Sequence, residues 1–303
     1  MRTRSVLATT VMLGAATLAY AGLIERNMFT LRRFDVPLLV PEAEPLRILH
    51  LSDLHMTPEQ TRKQHWVREL AGTDPDLVVV TGDNIAHPDA VPAVERALGP
   101  LLGVPGAFVF GSNDYRGPVL KNPFGYFDRD REYRQGAELP YEDLRAMLCS
   151  GGWADLNNAR TTIKAGGRTI DLIGVDDPHI DRDDYAAVAG SAPADADLRI
   201  GLMHAPEPRV IDEMAADGYE LIVAGHTHGG QVCVPGYGAL VTNCGLDRSM
   251  ARGLHRWPGG QRDEPNPQQD TYLHVSAGLG THPTAPVRFA CPPEASILTV
   301  IPC

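Results

Sequence analysis

Short, almost uninterrupted apolar runs alternate along the chain with stretches in which apolar residues recur every three to four positions. The runs predict strands over Leu46–Leu51, Asp76–Val80, Ala107–Phe110, Arg168–Val175, Leu198–Met203, Leu221–Ala224, Thr271–Ser276 and Ile297–Ile301. The helical spacing predicts helices over Pro58–Ala71, Pro92–Leu102, Tyr141–Ser150 and Glu207–Asp217. Strand and helix in alternation argue for an α/β sandwich. Two polar stretches rich in Pro and Gly, Arg116–Pro140 and Gly259–Gln269, read as long surface loops, the first a candidate lid.

The pattern differs at the N-terminus. An uncharged run from Ser5 to Ile24 lies between Arg2 and Arg4 on one side and Glu25-Arg26 on the other. About twenty residues in a helix match a bilayer core of about 30 Å. The expectation is an N-terminal apolar helix in residues 1–26 acting as a membrane anchor. A cleaved signal ending near Ala19-Tyr20-Ala21 and a buried helix are the alternatives. Residues 27–45, with prolines at 37, 41 and 45, read as a linker or an edge strand, and 46–303 as one catalytic domain.

Composition narrows the function. The 303 residues carry a net charge of −11, which disfavours a nucleic-acid partner. A small phosphorylated substrate is still admissible, because bound cations would set the local field. The five cysteines include no CxxC pair, so neither a disulfide framework nor a thiolate zinc site is indicated.

The chemistry lies where strands end. Apolar runs lead directly into Asp53-Leu54-His55, Asp83-Asn84, Asn113-Asp114, His204 and His226-Thr227-His228. In α/β sheets, the loops at the carboxyl ends of strands build the site. Taken singly, Asp-X-His is a surface pair, Gly-Asp an ordinary turn and His204 a satisfied core histidine. Five such strand ends together point to a metal site. Carboxylate, imidazole and amide oxygen suit two divalent ions such as Mn²⁺, Zn²⁺ or Fe²⁺, and a lone Asp can bridge a pair. Gly82 and Gly225 precede ligands where crowding calls for tight backbone. His50 reads as a core residue. His65, His179, His255, His274 and His282 show no ligand spacing, and the acidic stretch Asp176–Asp184 reads as a solvated loop.

These blocks resemble the signature of the calcineurin-like metallophosphoesterase superfamily, with Gly225-His226-Thr227-His228-Gly229-Gly230-Gln231 the most specific. Gly278-Leu279-Gly280, Arg288-Phe289 and Pro292-Pro293-Glu294 resemble its bacterial, often membrane-anchored branch. The resemblance implies two packed mixed β-sheets flanked by helices. It implies one metal on Asp53, His55 and His228, a second on His204, His226 and an amide, and Asp83 bridging them. The implied reaction is in-line attack of a metal-bound hydroxide on a phosphodiester, pyrophosphate or phosphomonoester, with a lipid-linked substrate in view.

The third block departs from the pattern. Where the family usually has Gly-Asn-His-Asp/Glu, this chain has Gly111-Ser112-Asn113-Asp114. Either Ser112 or Asn113 stands at the amide-ligand position, and Asn113 is favoured because an amide oxygen is the better donor. The usual histidine is missing, with His87 and Asp114 the nearby stand-ins. The expected catalytic set is Asp83, Asn113 and Asp114. The alternative to an enzyme is a catalytically weakened metal-binding regulatory protein of the same fold.

Overall fold

The computed structural model describes residues 2–119, 136–257 and 271–303. Among these, the strands form two six-stranded sheets and a two-stranded ribbon. The first sheet runs, in spatial order, β1 (Thr30–Leu39), β14 (Glu294–Pro302), β2 (Leu46–Leu51), β3 (Leu77–Thr81), β4 (Gly106–Val109) and β5 (Ala154–Asp155). The second runs β12 (Gly253–Trp257), β13 (Thr271–Val275), β9 (Leu221–Ala224), β8 (Leu198–Leu202), β7 (Arg168–Gly174) and β6 (Ala159–Ala165). The ribbon is β10 (Cys233–Val234) with β11 (Gly238–Ala239).

Both sheets are mixed. β2, β3, β4 and β5 are mutually parallel and β14 runs against β2. β7, β8, β9 and β13 are parallel, with β6 and β12 antiparallel at the two edges. Parallel strands covered on both faces carry near-continuous apolar sequence, and β3 is buried at all five positions. Alternate residues serve different layers. Leu46, Ile48, Leu77 and Val79 meet Ile170, Leu172, Ile200, Leu202, Leu221 and Val223 between the sheets. Leu49, Leu51, Val78 and Val80 face the helices α2 (Thr61–Glu69), α3 (Val91–Leu98) and α5 (Tyr141–Ser150) through Val67, Val94 and Leu144. The far face of the second sheet packs on α6 (Pro208–Ala216) through Val210, Ile211 and Met214. The expected sandwich of two mixed sheets between helical layers is what the chain forms.

Three segments go beyond the sequence pattern. Residues 27–45, read as a linker or an edge strand, contain the edge strand β1, paired along nearly its whole length with β14, so the sheet begins at Thr30 rather than at 46. Pro37 is tolerated because the edge needs no donor there, and the register slips between Pro37 and Leu39. β6 went unpredicted because its ARTTIKA sequence is a half-exposed edge; the Gly166-Gly167 turn, both at positive φ, folds it onto β7. The short α4 (Ser112–Tyr115) occupies the third sequence block.

The N-terminal run forms α1 (Arg2–Ala19), continued by short turns to Asn27. No helix of the described residues is long and apolar enough to cross a membrane, so the spanning anchor is not supported. The end of this segment is tied into the fold. The buried Glu25 carboxylate accepts the Cys291 N–H at 2.7 Å, and the Arg288 backbone N–H donates to Ala21 O at 3.1 Å. The stem of the first long loop is paired, Gly117 N–H donating to Ala137 O at 2.7 Å. Its central part (120–135) and the whole of Gly259–Gln269 lie outside the described residues.

Candidate metal centre

The carboxyl ends of β2, β3 and β4 meet those of β8 and β9 at one edge of the sandwich, and the six carboxylate and imidazole ligands predicted from sequence gather there. Five of them, Asp53, His55, Asp83, His226 and His228, have positive φ between 39° and 68°. Non-glycine residues seldom adopt that conformation, and its concentration at one place marks a site where packing holds strained backbone. The glycines fit the same geometry. Gly82 has φ 84°, and a Cβ on Gly225 would collide with Ser52 Oγ.

Asp83 is central. Its Oδ2 lies 3.5 Å from both His55 Nε2 and His204 Nε2. Asp53 Oδ1 lies 3.5 Å from His228 Nε2, and the Asp53 carboxylate accepts the His226 N–H at 3.1 and 3.2 Å. Ring nitrogens meet in pairs, His55 with His228 at 3.2 Å and His204 with His226 at 3.3 Å. Two donor groups result, Asp53–His55–His228 and Asp53–Asp83–His204, each with its ligand atoms within 4.8 Å of one another. His226 joins the second through His204. Imidazole nitrogens and carboxylates, nearly all buried, converge here within bonding reach of a shared ion, so the donor set fits divalent cations.

Electrostatics agree. Burial pushes His55 down to about 3 and holds His226 and His228 well below the usual imidazole range, leaving them neutral and able to ligate. Burial alone would raise Asp83, but the adjacent His204 holds it well below the carboxylate range. Burial lifts Asp53 to about 6, against the opposing pull of His204.

A buried polar chain stands behind Asp53. Ser52 Oγ donates to Asp53 Oδ2 at 2.7 Å, Thr81 Oγ1 donates to Ser52 Oγ at 2.8 Å, and His50 Nε2 lies 2.8 Å from Thr81 Oγ1. His50 Nδ1 meets His274 Nδ1 at 2.9 Å between the sheets. His50 is thus a core residue as read, though one bonded toward the site. Arg288, fully buried, donates to the carbonyls of His228, Ala277, Gly278, Gly280 and Cys291 and so fixes the turn beneath His228. Lys63 Nζ bonds Leu54 O at 2.6 Å and steadies the peptide between Asp53 and His55.

The third block resolves into separate tasks. Asn113 Nδ2 donates to Asp83 Oδ2 at 2.6 Å and the Asn113 N–H to Asp83 Oδ1 at 2.8 Å, so its amide lies against the central carboxylate. Ser112 Oγ is 3.5 Å from Asn113 Nδ2. Asp114, expected in the catalytic set, has both oxygens engaged by N–H groups of Asn84, Ile85 and Gly111 at 2.6–3.2 Å. It pins the Asp83 turn to α4, which is a holding role. His87 is half exposed and accepts from Asp89 N–H at 3.1 Å.

Two histidines passed over in the sequence flank the cluster. The His179 ring lies 4.4 Å from that of His226, and the His282 ring 6.3 Å from that of His55. The Asp176–Asp177 pair is buried rather than solvated. The available signal was the one used elsewhere: β7, parallel to β8, runs straight into Asp176.

An α/β sandwich carrying paired buried carboxylate–imidazole groups at its strand ends defines a two-metal hydrolase site. Residues 46–230 match the calcineurin-like phosphoesterase family, and the chain belongs to that family. It is therefore a metal-dependent phosphoesterase of a class that uses two divalent metal ions. It is 27% identical over 246 residues to YkoQ, an uncharacterized metallophosphoesterase of Bacillus subtilis, covering 80% of this chain and 78% of that protein. It is 26% identical over 300 residues to the phosphodiesterase YaeI of Escherichia coli, covering 95% and 96%. It is 24% identical over 336 residues to the UDP-2,3-diacylglucosamine pyrophosphatase LpxG of Chlamydia muridarum, covering 97% and 96%.

Proposed function

We propose that this phosphoesterase hydrolyses a phosphodiester or diphosphate bond of a lipid-linked substrate. The observation that carries the reaction type is the position of Asp83 between His55 and His204, with Asp53 shared by both donor groups. Asp53, His55 and His228 would hold one ion, His204, His226 and Asn113 the other, and Asp83 would bridge. Ions held there would polarise a phosphoryl oxygen and lower the pKa of water. The chain's own groups orient these ligands: Arg288 holds the turn under His228, Asp114 holds Asp83 and α4 together, and the Ser52–Thr81–His50 chain fixes Asp53.

Diesters and diphosphates are favoured over alkyl monoesters because Gly111-Ser112-Asn113-Asp114 lacks the histidine usual in the family's third block, and neither a hydroxyl nor an amide replaces it as a proton donor. The lipid-linked part rests on two further observations. Val11, Met12, Leu13, Leu18, Leu23 and Ile24 are exposed along the N-terminal segment, which suits contact with a lipid surface. LpxG acts on a diacylated sugar nucleotide by its name. A comparison of a diacylated nucleotide diphosphate with its deacylated counterpart, both with Mn²⁺ and detergent micelles, tests this. Preference for the acylated compound supports the proposal; equal or better turnover of the deacylated one refutes the lipid part.

A further inference from the structure

The loop after β7 is built as part of the site, although its sequence reads as solvated. Asp176 is buried and accepts the Tyr115 hydroxyl at 2.8 Å and Arg182 Nε at 2.8 Å, while the Arg182 guanidinium lies 4.0 Å over the Tyr115 ring. Tyr115 belongs to α4, so the loop is anchored to the same helix that carries Asn113. Asp176 also accepts the N–H of Asp177 at 2.8 Å, and Asn158 Oδ1 accepts the N–H of Asp176 at 3.0 Å. Asp177 is fully buried. Its Oδ1 accepts the His179 N–H at 2.9 Å, and its carbonyl accepts from Ile180 and Arg182. Pro178, between them, fixes its own φ. Few backbone freedoms remain to His179, whose ring is tilted 46° against that of His226, with centroids 4.4 Å apart. The His179 residue is itself only partly buried, so a substrate can reach it.

We infer that His179 is a substrate-contacting residue: its ring N–H donates a hydrogen bond to the phosphoryl group bound on the His204–His226 side, supplying an imidazole that the third block lacks. The inference rests on the phosphoesterase reading above and adds the residue that reading lacks. It draws on a strand end outside the five that carry the metal ligands. The buried Asp176, Asp177 and Tyr115 and the exposed Arg182 are then positioning residues that hold one histidine at the site mouth.

The test separates contact with substrate from packing against His226. His179→Phe keeps a ring against His226 and removes the donor; His179→Gln keeps an N–H and removes the ring. For the full chain and both variants, Mn²⁺ content is measured, then inorganic phosphate binding by calorimetry, then turnover of bis-nitrophenyl phosphate. A hydrogen bond to a charged group is worth about tenfold in affinity or more. The inference expects two Mn²⁺ in every form, phosphate affinity about tenfold weaker in His179→Phe, and most of that restored in His179→Gln. It is overturned if His179→Phe binds phosphate as the unaltered protein does, or if it weakens only together with loss of Mn²⁺. Were the unaltered, Mn²⁺-loaded chain neither to bind phosphate nor to turn over the diester, the phosphoesterase reading itself would fail, and this inference with it.

Discussion

The Asn113 side chain meets Asp83 Oδ2 at 2.6 Å, while the Asn113 backbone N–H takes Asp83 Oδ1 at 2.8 Å. Both contacts place its amide against the carboxylate that faces His55 and His204. A turn of the amide plane presents oxygen instead of nitrogen to the same spot. Asn113, rather than Ser112, is therefore expected to serve the second ion. Asn113→Ala should weaken the more weakly bound Mn²⁺ by about 10–100-fold, the range seen when groups supporting a metal are removed, while Ser112→Ala stays within about threefold. Calorimetric Mn²⁺ titrations decide this, and the reverse order would hand the position to Ser112.

His204 should release a proton when metal binds. Burial would lower its pKa, but Asp83, then Asp177, raise it well above the imidazole range, so the metal-free chain holds His204 protonated at pH 7. A ligating nitrogen must be free of its proton, so affinity should increase as pH rises toward the His204 pKa. Calorimetry at pH 7 in buffers of different ionisation enthalpy should find about one proton released per chain from this group. No dependence of the heat on the buffer would contradict the assignment.

Arg288 should matter for stability before it matters for chemistry. Its guanidinium, fully buried, satisfies five carbonyls. Lysine offers one nitrogen in place of three. Arg288→Lys should cost about 3 kcal/mol or more in denaturant unfolding, the scale for a buried charge network left incomplete. A change under about 1 kcal/mol would show that the turn under His228 holds itself.

Substrate preference should follow the leaving group. With the usual histidine missing from the third block, a nitrophenyl diester should outrun an alkyl phosphomonoester by about a hundredfold, the reach of a missing general acid. Equal kcat/KM for the two would remove the argument for diesters and diphosphates.

Much of this site was legible because its ligands obey a rule visible in one dimension: an apolar strand ends and a donor follows. Asp53, His55, Asp83, His204, His226 and His228 all satisfy it. His179 satisfies it too, behind β7, yet the carboxylates around it suggested solvent. Tyr115, which caps Asp176, comes from α4, and a partner that distant in sequence leaves no local trace. Asp114 shows what the sequence leaves out in another way. A carboxylate beside the site is bonded instead by three backbone N–H groups and the Asn84 side-chain amide. Thr30–Leu39 was one of two readings, linker or edge strand; the single Pro37 left both open, since an edge strand accommodates a proline and a central one would not.

The central claim, two ions on one bridging aspartate, is tested most directly by metal content and diester hydrolysis in one preparation. The full chain is needed, because Glu25 and β1 belong to the fold. The protein loaded with Mn²⁺ should hold two ions and cleave bis-nitrophenyl phosphate, losing that activity to a chelator. Asp83→Ala should lose at least one ion and about a hundredfold or more in rate, since even supporting groups can cost that much. An Asp83→Ala protein that keeps both ions and full turnover would contradict the account.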